Sequence, residues 1–296
     1  MPITGVADLD SIIQTVVTDT ILTARQMPVC RRMFRNYMVP EHRGSPFDLP
    51  KLGKLTAYPV AEGADYVAPQ SLTDTDVSVN PTETIVQTMV TKRMLGRAPS
   101  DLKSMINEEH ARAWSERMDL DGLALFSGFA TGLSATNTTL FVGNFGAGRA
   151  RVKGNAEPAP DPIVAILHPY HFWDLLAGSI PLSQGTTAVY SGQGNMMGGN
   201  APNYANAAAG YNMRELFGVP IVEDGLITVD ASDDAYSFIG SRQALYLCIT
   251  DEGHMDPQWD ASARAWELNF VGEYAWVERV DLWGYFLLAD ATAPTA

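Results

Sequence analysis

The sequence predicts an α+β fold in which a projecting β-hairpin stands apart from the segments that build the core. Three stretches predict it: residues 55–94 read as two β-rich limbs around polar turns, Pro99 opens a long helical stretch, and the chain beyond Leu216 is predominantly β. The hairpin carries turn signals at Glu62-Gly63-Ala64-Asp65 and Pro69-Gln70-Ser71, and its second limb holds the β-branched series Thr84, Ile85, Val86, Thr88, Val90 and Thr91. An isolated two-stranded hairpin is marginal in water, so a projection of roughly forty residues predicts a subunit that is completed by other copies of itself.

The elements follow in order. Residues 8–36 have Ile12, Ile13, Val16, Val17, Ile21 and Leu22 near helical spacing and lead into Arg25, Arg31, Arg32, Arg35 and Arg43, a basic arm. Pro40, Gly44, Pro46, Pro50 and Gly53 mark an extended connection into the hairpin. Ser100 is placed to cap a helix running to about Phe126, with Asp101 favourable in its first turn and Leu102, Met105, Ile106, Ala113, Leu120, Leu123 and Ala124 near one face. Residues 143–162 are rich in Gly, Pro and Ala and read as loop. Ile163–Leu167 reads as a buried strand, Pro169 begins a second helix, and residues 178–210 form a small-residue loop long enough to suggest an interface or a rim. Leu216–Val222 turns into a strand, followed by strands over Ala244–Thr250, Trp266–Phe270 and Tyr274–Leu288.

Composition bounds the function. With 296 residues and 46% hydrophobic content the chain can bury a core in about two lobes. Its 20 Lys+Arg against 34 Asp+Glu leave a formal charge of -14, which repels nucleic acid from the surface as a whole. Cys30 and Cys248 have no partner at disulfide or metal-ligand spacing, so neither a disulfide framework nor a zinc site is expected. The first residues lack a basic segment before an apolar one, and no run of about 18 apolar residues occurs, which predicts a soluble protein made inside the cell.

Candidate chemistry is sparse. His168, His171 and Asp174 form the densest titratable cluster, with His171 and Asp174 at helical i, i+3 spacing, as a general base or metal pair would need; a strand-to-helix corner capped by His168 is the stronger reading. Glu108-Glu109-His110 lacks the second histidine of a zinc-protease helix. Asp251, Glu252, Asp256 and Asp260 concentrate carboxylates in an expected turn without the spacing of a calcium loop, and Gly192, Gly194, Gly198 and Gly199 lack the lysine of a phosphate loop. No catalytic residue, metal or cofactor is therefore assigned.

The order of basic arm, long hairpin, long helix, α/β lobe and terminal strands resembles the major capsid protein of tailed bacteriophages, the Hong Kong 97-like shell fold. The more specific stretches are AILHPYHFWDLLAG (165–178), LFGVPIVEDGLI (216–227) and EYAWVERVDLWGYFLLAD (273–290), the last resembling the long strand that crosses between the two lobes of that fold. The resemblance implies an N-terminal arm over 1–45 and an extended loop over 46–95. It implies a peripheral domain over 96–156 containing the spine helix, with return strands over 248–282, and an axial domain over 157–247 and 283–296. It implies a non-enzymatic subunit of an icosahedral shell, assembling into pentamers and hexamers around packaged double-stranded DNA that is enclosed without specific binding. Residues 251–264 would lie near threefold contacts and 178–212 near the five- and sixfold axes. Candidate inter-subunit contacts are Arg31, Arg32, Arg35, Glu62, Gly63, Asp65, Tyr66, Asp251, Glu252 and Asp256. Implied partners are a portal protein and separate scaffolding or decoration proteins; the implied location is the virion capsid, with the host cytoplasm during assembly. An encapsulin-type cargo shell is the nearest alternative, and a small hydrolase using His168, His171 and Asp174 the more distant one.

Overall fold

The computed structural model describes residues 28–39, 46–63, 65, 69–96, 102–133, 135–179 and 215–294. In chain order the elements are α1 (Cys30–Met33), β1 (Arg35–Met38), β2 (Phe47–Leu52), β3 (Asp74–Val79), β4 (Thr82–Thr91), α2 (Lys92–Leu95), α3 (Leu102–Ala124), β5 (Gly132–Leu133), α4 (Val142–Gly154), β6 (Ile163–Leu167), α5 (Pro169–Ser179), β7 (Glu215–Leu216), β8 (Val219–Glu223), β9 (Asp234–Ser241), β10 (Leu245–Asp260), β11 (Ala265–Glu278) and β12 (Gly284–Asp290). They fall into two compact units, one built from Phe34–Asp121 and Leu245–Arg279, the other from Gln26–Met33, Gly122–Ala244 and Val280–Ala296.

The first unit is a four-stranded sheet in the order β1-β10-β11-β4, with the two-stranded β2-β3 ribbon and helix α3. The buried positions of α3 are His110, Trp114, Met118, Asp119, Gly122 and Leu123, so of the residues the spacing placed on the inward face Leu123 is buried, Met105, Ile106, Ala113 and Leu120 are half-buried and Ala124 is exposed. Trp114 stands edge-on to Phe270 and Tyr274, with ring centroids 5.7 and 5.6 Å away. The indole fits because position 272 is glycine: a Cβ there would lie 2.6 Å from Trp114 Cζ2. Tyr274 Oη donates to Asp121 Oδ2 at 2.7 Å and Trp276 Nε1 donates to the Met118 carbonyl at 2.7 Å, tying the helix to β11.

The second unit is a six-stranded mixed sheet, β5-β12-β9-β6-β8-β7, covered by α4 and α5. β6 is buried along its whole length, as its unbroken IVAIL run predicts for a strand covered on both faces. The core joins Phe145 and Val152 of α4, Leu175 of α5, and Ala165, Leu167, Val219, Ile221, Ile239 and Leu287 of the sheet.

Several sequence expectations are corrected. Residues 143–162 are not all loop, since α4 occupies Val142–Gly154; Phe145, Gly148 and Val152 face inward at helical spacing, and a Cβ on Gly148 would sit 2.8 Å from Ile239 Cγ2. The glycines read as punctuation are partly there for close packing. The strand series of the second hairpin limb lies in the main sheet as β4, paired with β11 from Thr82↔Tyr274 to Thr91↔Ala265, so the projecting segment is shorter than expected. The final β stretch is two strands broken by a 3-10 turn over Asp281–Trp283, and the helix expected to reach residue 36 has ended by β1. The carboxylates from Asp251 to Asp260 lie in the long strand β10, which runs on past Thr250 because β11 pairs with it to the end. The expected basic helix before residue 28 and residues 180–210 of the expected loop 178–210 fall outside the described residues, while its first two residues belong to α5. No helix among the described residues is long and apolar enough to cross a membrane.

Candidate assembly surfaces

The projecting arm is built outward from the β2-β3 ribbon. Its base is anchored by Leu49 and Val79, which pack with Val39 and Cys248, and by the Arg279 guanidinium, which donates to the carbonyls of Leu49 and Pro50. Strand pairing ends at Leu52↔Asp74, and one further bond, Gly53 N to Thr73 O at 2.7 Å, closes the ladder. Beyond it the two limbs are joined by a side chain: Thr56 N donates to Gln70 Oε1 at 2.9 Å and Gln70 Nε2 donates to the Thr56 carbonyl. The primary amide of Gln70 thus takes the place of a peptide unit on a facing strand. The described residues from Leu52 to Asp76 are all exposed, among them the apolar side chains of Leu52 (65%), Leu55 (55%), Tyr58 (58%), Val60 (51%) and Leu72 (55%). Burial of a side chain of this size is worth about 1.5–3 kcal/mol, so the arm holds a large unspent driving force for association. Of the candidate contacts, Glu62, Gly63 and Asp65 sit on this exposed arm, Gly63 in a turn at φ +77°. Tyr66 lies outside the described residues.

The candidate arginines divide between the units. Arg31 and Arg32 lie on α1 in the second, where Arg242 donates to the carbonyls of Arg32 (2.9 Å) and Met33 (2.6 Å). Arg35 lies on β1 in the first, its guanidinium 5.7 Å from the Tyr246 ring centroid, and Arg279 approaches the same ring at 5.9 Å. Asp251 sits at a register shift of β10, where its Oδ1 accepts from Gly253 N at 3.1 Å and its Oδ2 lies 2.8 Å from His254 Nδ1. Glu252 and Asp256 are exposed on the same strand. Next to them the first unit has an apolar cavity of about 320 Å³ lined by Leu95, Asn107, Met255, Pro257, Trp266 and Leu268.

The histidine cluster is structural. His168 precedes the first turn of α5, and its Nδ1 accepts from Tyr170 N at 3.3 Å, an N-cap followed by Pro169 at the first helical position. Burial, and then the neighbouring His171, lower its pKa to about 4. His171 is fully buried; Nε2 faces the Ala289 carbonyl at 3.0 Å and must carry the proton, so Nδ1 accepts from Ser237 Oγ at 2.7 Å. Ser237 is itself fully buried and also accepts from His168 N at 3.0 Å. A serine and histidine in contact would suggest a nucleophile, but no substrate reaches either. Burial pushes the Asp174 carboxyl up, helped by Asp290, and no hydrogen bond links it to His171.

Sequence reasoning missed Gln70, Thr56 and Arg279. A glutamine in a loop and an arginine ending a strand carry no signal until folding brings residues 14 and about 230 positions apart together.

No protein-family model matches the chain, and no curated protein matches it in sequence. Solved structures do. The chain is similar to the capsid structure of the cyanophage P-SCSP1u (12% identity, 98% of this chain and 95% of that chain, TM-score 0.69). It is similar to the head structure of Helicobacter pylori bacteriophage KHP40 (10% identity, 99% and 98%, TM-score 0.68) and to the mature capsid of bacteriophage PhiM1 (12% identity, 95% and 92%, TM-score 0.65). The chain has the fold of these phage capsid proteins over nearly its whole length, the α+β shell fold that the sequence resembled.

Proposed function

We propose that this chain is the structural subunit of an icosahedral viral shell, forming pentamers and hexamers that enclose double-stranded DNA. The observation that carries the reading is the exposed apolar arm on a fold shared end to end with phage capsid proteins. An arm that cannot bury itself suits a repeated contact between identical copies, where many weak interfaces gain strength together. The net charge of -14 suits an inner wall along which DNA moves without sticking. In this reading residues 1–45 serve as an N-terminal arm and 46–95 as the extended loop. Residues 96–156 and 248–282 form the peripheral domain, and 157–247 with 283–296 the axial domain. Arg31, Arg32, Arg35, Glu62, Gly63, Asp65, Tyr66, Asp251, Glu252 and Asp256 contribute to contacts between subunits. A portal protein and separate scaffolding or decoration proteins complete the particle, which assembles in the host cytoplasm. The buried state of His171 and Ser237 supports a role without catalysis.

The test is to join Gly53 to Thr73 through Asn-Gly in place of residues 54–72. The Gly53–Thr73 hydrogen bond already closes the ribbon there, and a two-residue turn of this kind fits such an end. The full chain is expected to form closed particles in negative-stain microscopy, whereas the shortened one unfolds cooperatively but stays a monomer or small oligomer on a sizing column. Closed particles from the shortened chain would remove the arm from the assembly mechanism. Particles filled with protein cargo and no DNA would favour the cargo-shell alternative.

A further inference from the structure

Two carboxylates stand opposite one another at one end of the second unit's sheet. Asp234 and Asp290 are register partners in the antiparallel pair of β9 and β12. The next pair outward is closed by Ala291 N, which donates to the Asp233 carbonyl at 2.6 Å. Hydrogen-bonded and non-hydrogen-bonded pairs alternate along an antiparallel ladder, so Asp234 and Asp290 form a non-hydrogen-bonded pair, the kind whose side chains lie closest. In keeping with this, Asp290 N turns away from β9 and donates to the Thr138 carbonyl at 3.0 Å. Like charges directly opposite in this way destabilise a sheet.

The pair lacks a counter-charge. Asp234 is fully buried; its Oδ1 accepts from Asn137 N at 2.8 Å, while its Oδ2 is buried without a hydrogen-bond partner, a costly state for a carboxylate oxygen. Asp290 is half-buried, and its Oδ1 accepts from Thr292 N at 2.9 Å and Thr292 Oγ1 at 2.5 Å. Neither carboxylate makes an ion pair among the described residues. The segments that meet here, 130–142, 169–179, 225–241 and 284–294, contain no lysine or arginine and add Asp174, Asp230 and Asp233 to the same sign of charge. His171 lies within the field of both: burial lowers its pKa, and the Ala289 carbonyl, Asp290 and Asp234 oppose the shift. It is no counter-ion, because its two nitrogens serve Ser237 and Ala289 in the neutral form. Burial and then Asp290 push the Asp174 carboxyl up, a second sign of uncompensated negative charge.

We propose that Asp234, through its unpartnered Oδ2, and Asp290 together bind one calcium ion, which holds the ends of β9 and β12 to each other. Two carboxylates balance the charge of a divalent ion. Oxygen ligands select a hard cation, and calcium tolerates an irregular shell completed by water and main-chain carbonyls, whereas magnesium demands a near-ideal octahedron. The half-buried Asp290 opens the site to solvent, and the exposed Asp230 and Asp233 draw cations towards it. The site lies wholly within the second unit and goes beyond the shell reading without depending on it.

Equilibrium dialysis and thermal unfolding of the full-length, unassembled subunit, first stripped with a chelator, test this. Calcium is expected to bind saturably at one ion per chain and to raise the unfolding midpoint by at least about 2 °C. Sodium chloride at matched ionic strength is expected to leave the midpoint unchanged; an equal rise would reduce the effect to screening of an acidic surface and overturn the inference. Asp234→Asn and Asp290→Asn are each expected to weaken calcium binding by at least about tenfold. Without calcium both variants should unfold at or above the temperature of the native chain, because the like-charge pair is gone. Asparagine at 234 keeps an oxygen for Asn137 N, and should that variant not fold, Asp290→Asn at the half-buried strand end carries the same test. Absence of saturable binding, or binding unchanged in the variants, would overturn the site, and tighter binding of magnesium would overturn the choice of calcium.

Discussion

Acid should destabilise the second unit through His168, and the amount follows from its position. The side chain caps α5 only when neutral, because Nδ1 must present a lone pair to Tyr170 N, and a cation there would also face the positive end of the helix. Burial and His171 lower the pKa from 6.5 to about 4. Below pH 6.5 the unfolded chain therefore takes up a proton that the folded one refuses. The associated stability is complete at neutral pH, is lost as pH falls from about 6.5 to about 4, and changes no further below that. At 1.36 kcal/mol per tenfold in proton affinity the full loss is about 3 kcal/mol, and about 2 kcal/mol of it has gone by pH 5. The assay is urea unfolding of the unassembled subunit at about pH 7 and about pH 5, for the native chain and for His168→Asn. Asparagine caps a helix as well and does not titrate, so it keeps the bond to Tyr170 without the pH dependence. His171 is also held low by burial and is present in both proteins, so the difference between them reports chiefly on His168. Equal losses in the two would refute the capping argument.

Three further outcomes are expected. Gly148→Val forces a branched side chain against Ile239, where a Cβ alone comes within 2.8 Å, and should lower stability by about 1–3 kcal/mol in thermal or urea unfolding. Replacing Arg31, Arg32 and Arg35 together by Gln should reduce particle yield and make assembly less sensitive to salt, because each exposed ion pair is worth only about 0–1 kcal/mol but recurs in every subunit; unchanged yield and salt response in light scattering would remove them from the contact set. Mature particles boiled in detergent should run as a single subunit band, because residues 55–91 contain no lysine and Lys54 and Lys92 flank the arm rather than occupy its tip.

The parts of the fold legible in the sequence were those with one dominant local pattern. The unbroken IVAIL run reads as a strand covered on both sides, Pro169 after His168 reads as a capped helix start, and the polar turns among exposed apolar residues around Glu62 read as an arm. Each depends on neighbours within a few residues, where periodicity and turn chemistry act directly. Helix α4 was not legible, because Gly143, Gly146, Gly148 and Gly154 look like loop punctuation until the nearness of Ile239 explains why one of them must lack a side chain. β9, one of the two central strands of the second sheet, was missed for a related reason: Asp234–Ser241 alternates poorly, and its burial comes from β6 and β12 on either side.

The candidate surfaces divide in the same way. Composition and local pattern by themselves determined that the protein is acidic and that one segment has no obvious way to bury itself. Only the tertiary structure decided that the second limb belongs to the main sheet, where it is the last strand among the described residues, and that Gln70 and Arg279 hold the arm at its waist and base. The physical reason is range. Hydrophobic periodicity and turn preference are properties of a few consecutive residues, whereas strand order and side-chain bonds across 14 or 230 positions depend on which distant surfaces exclude water together.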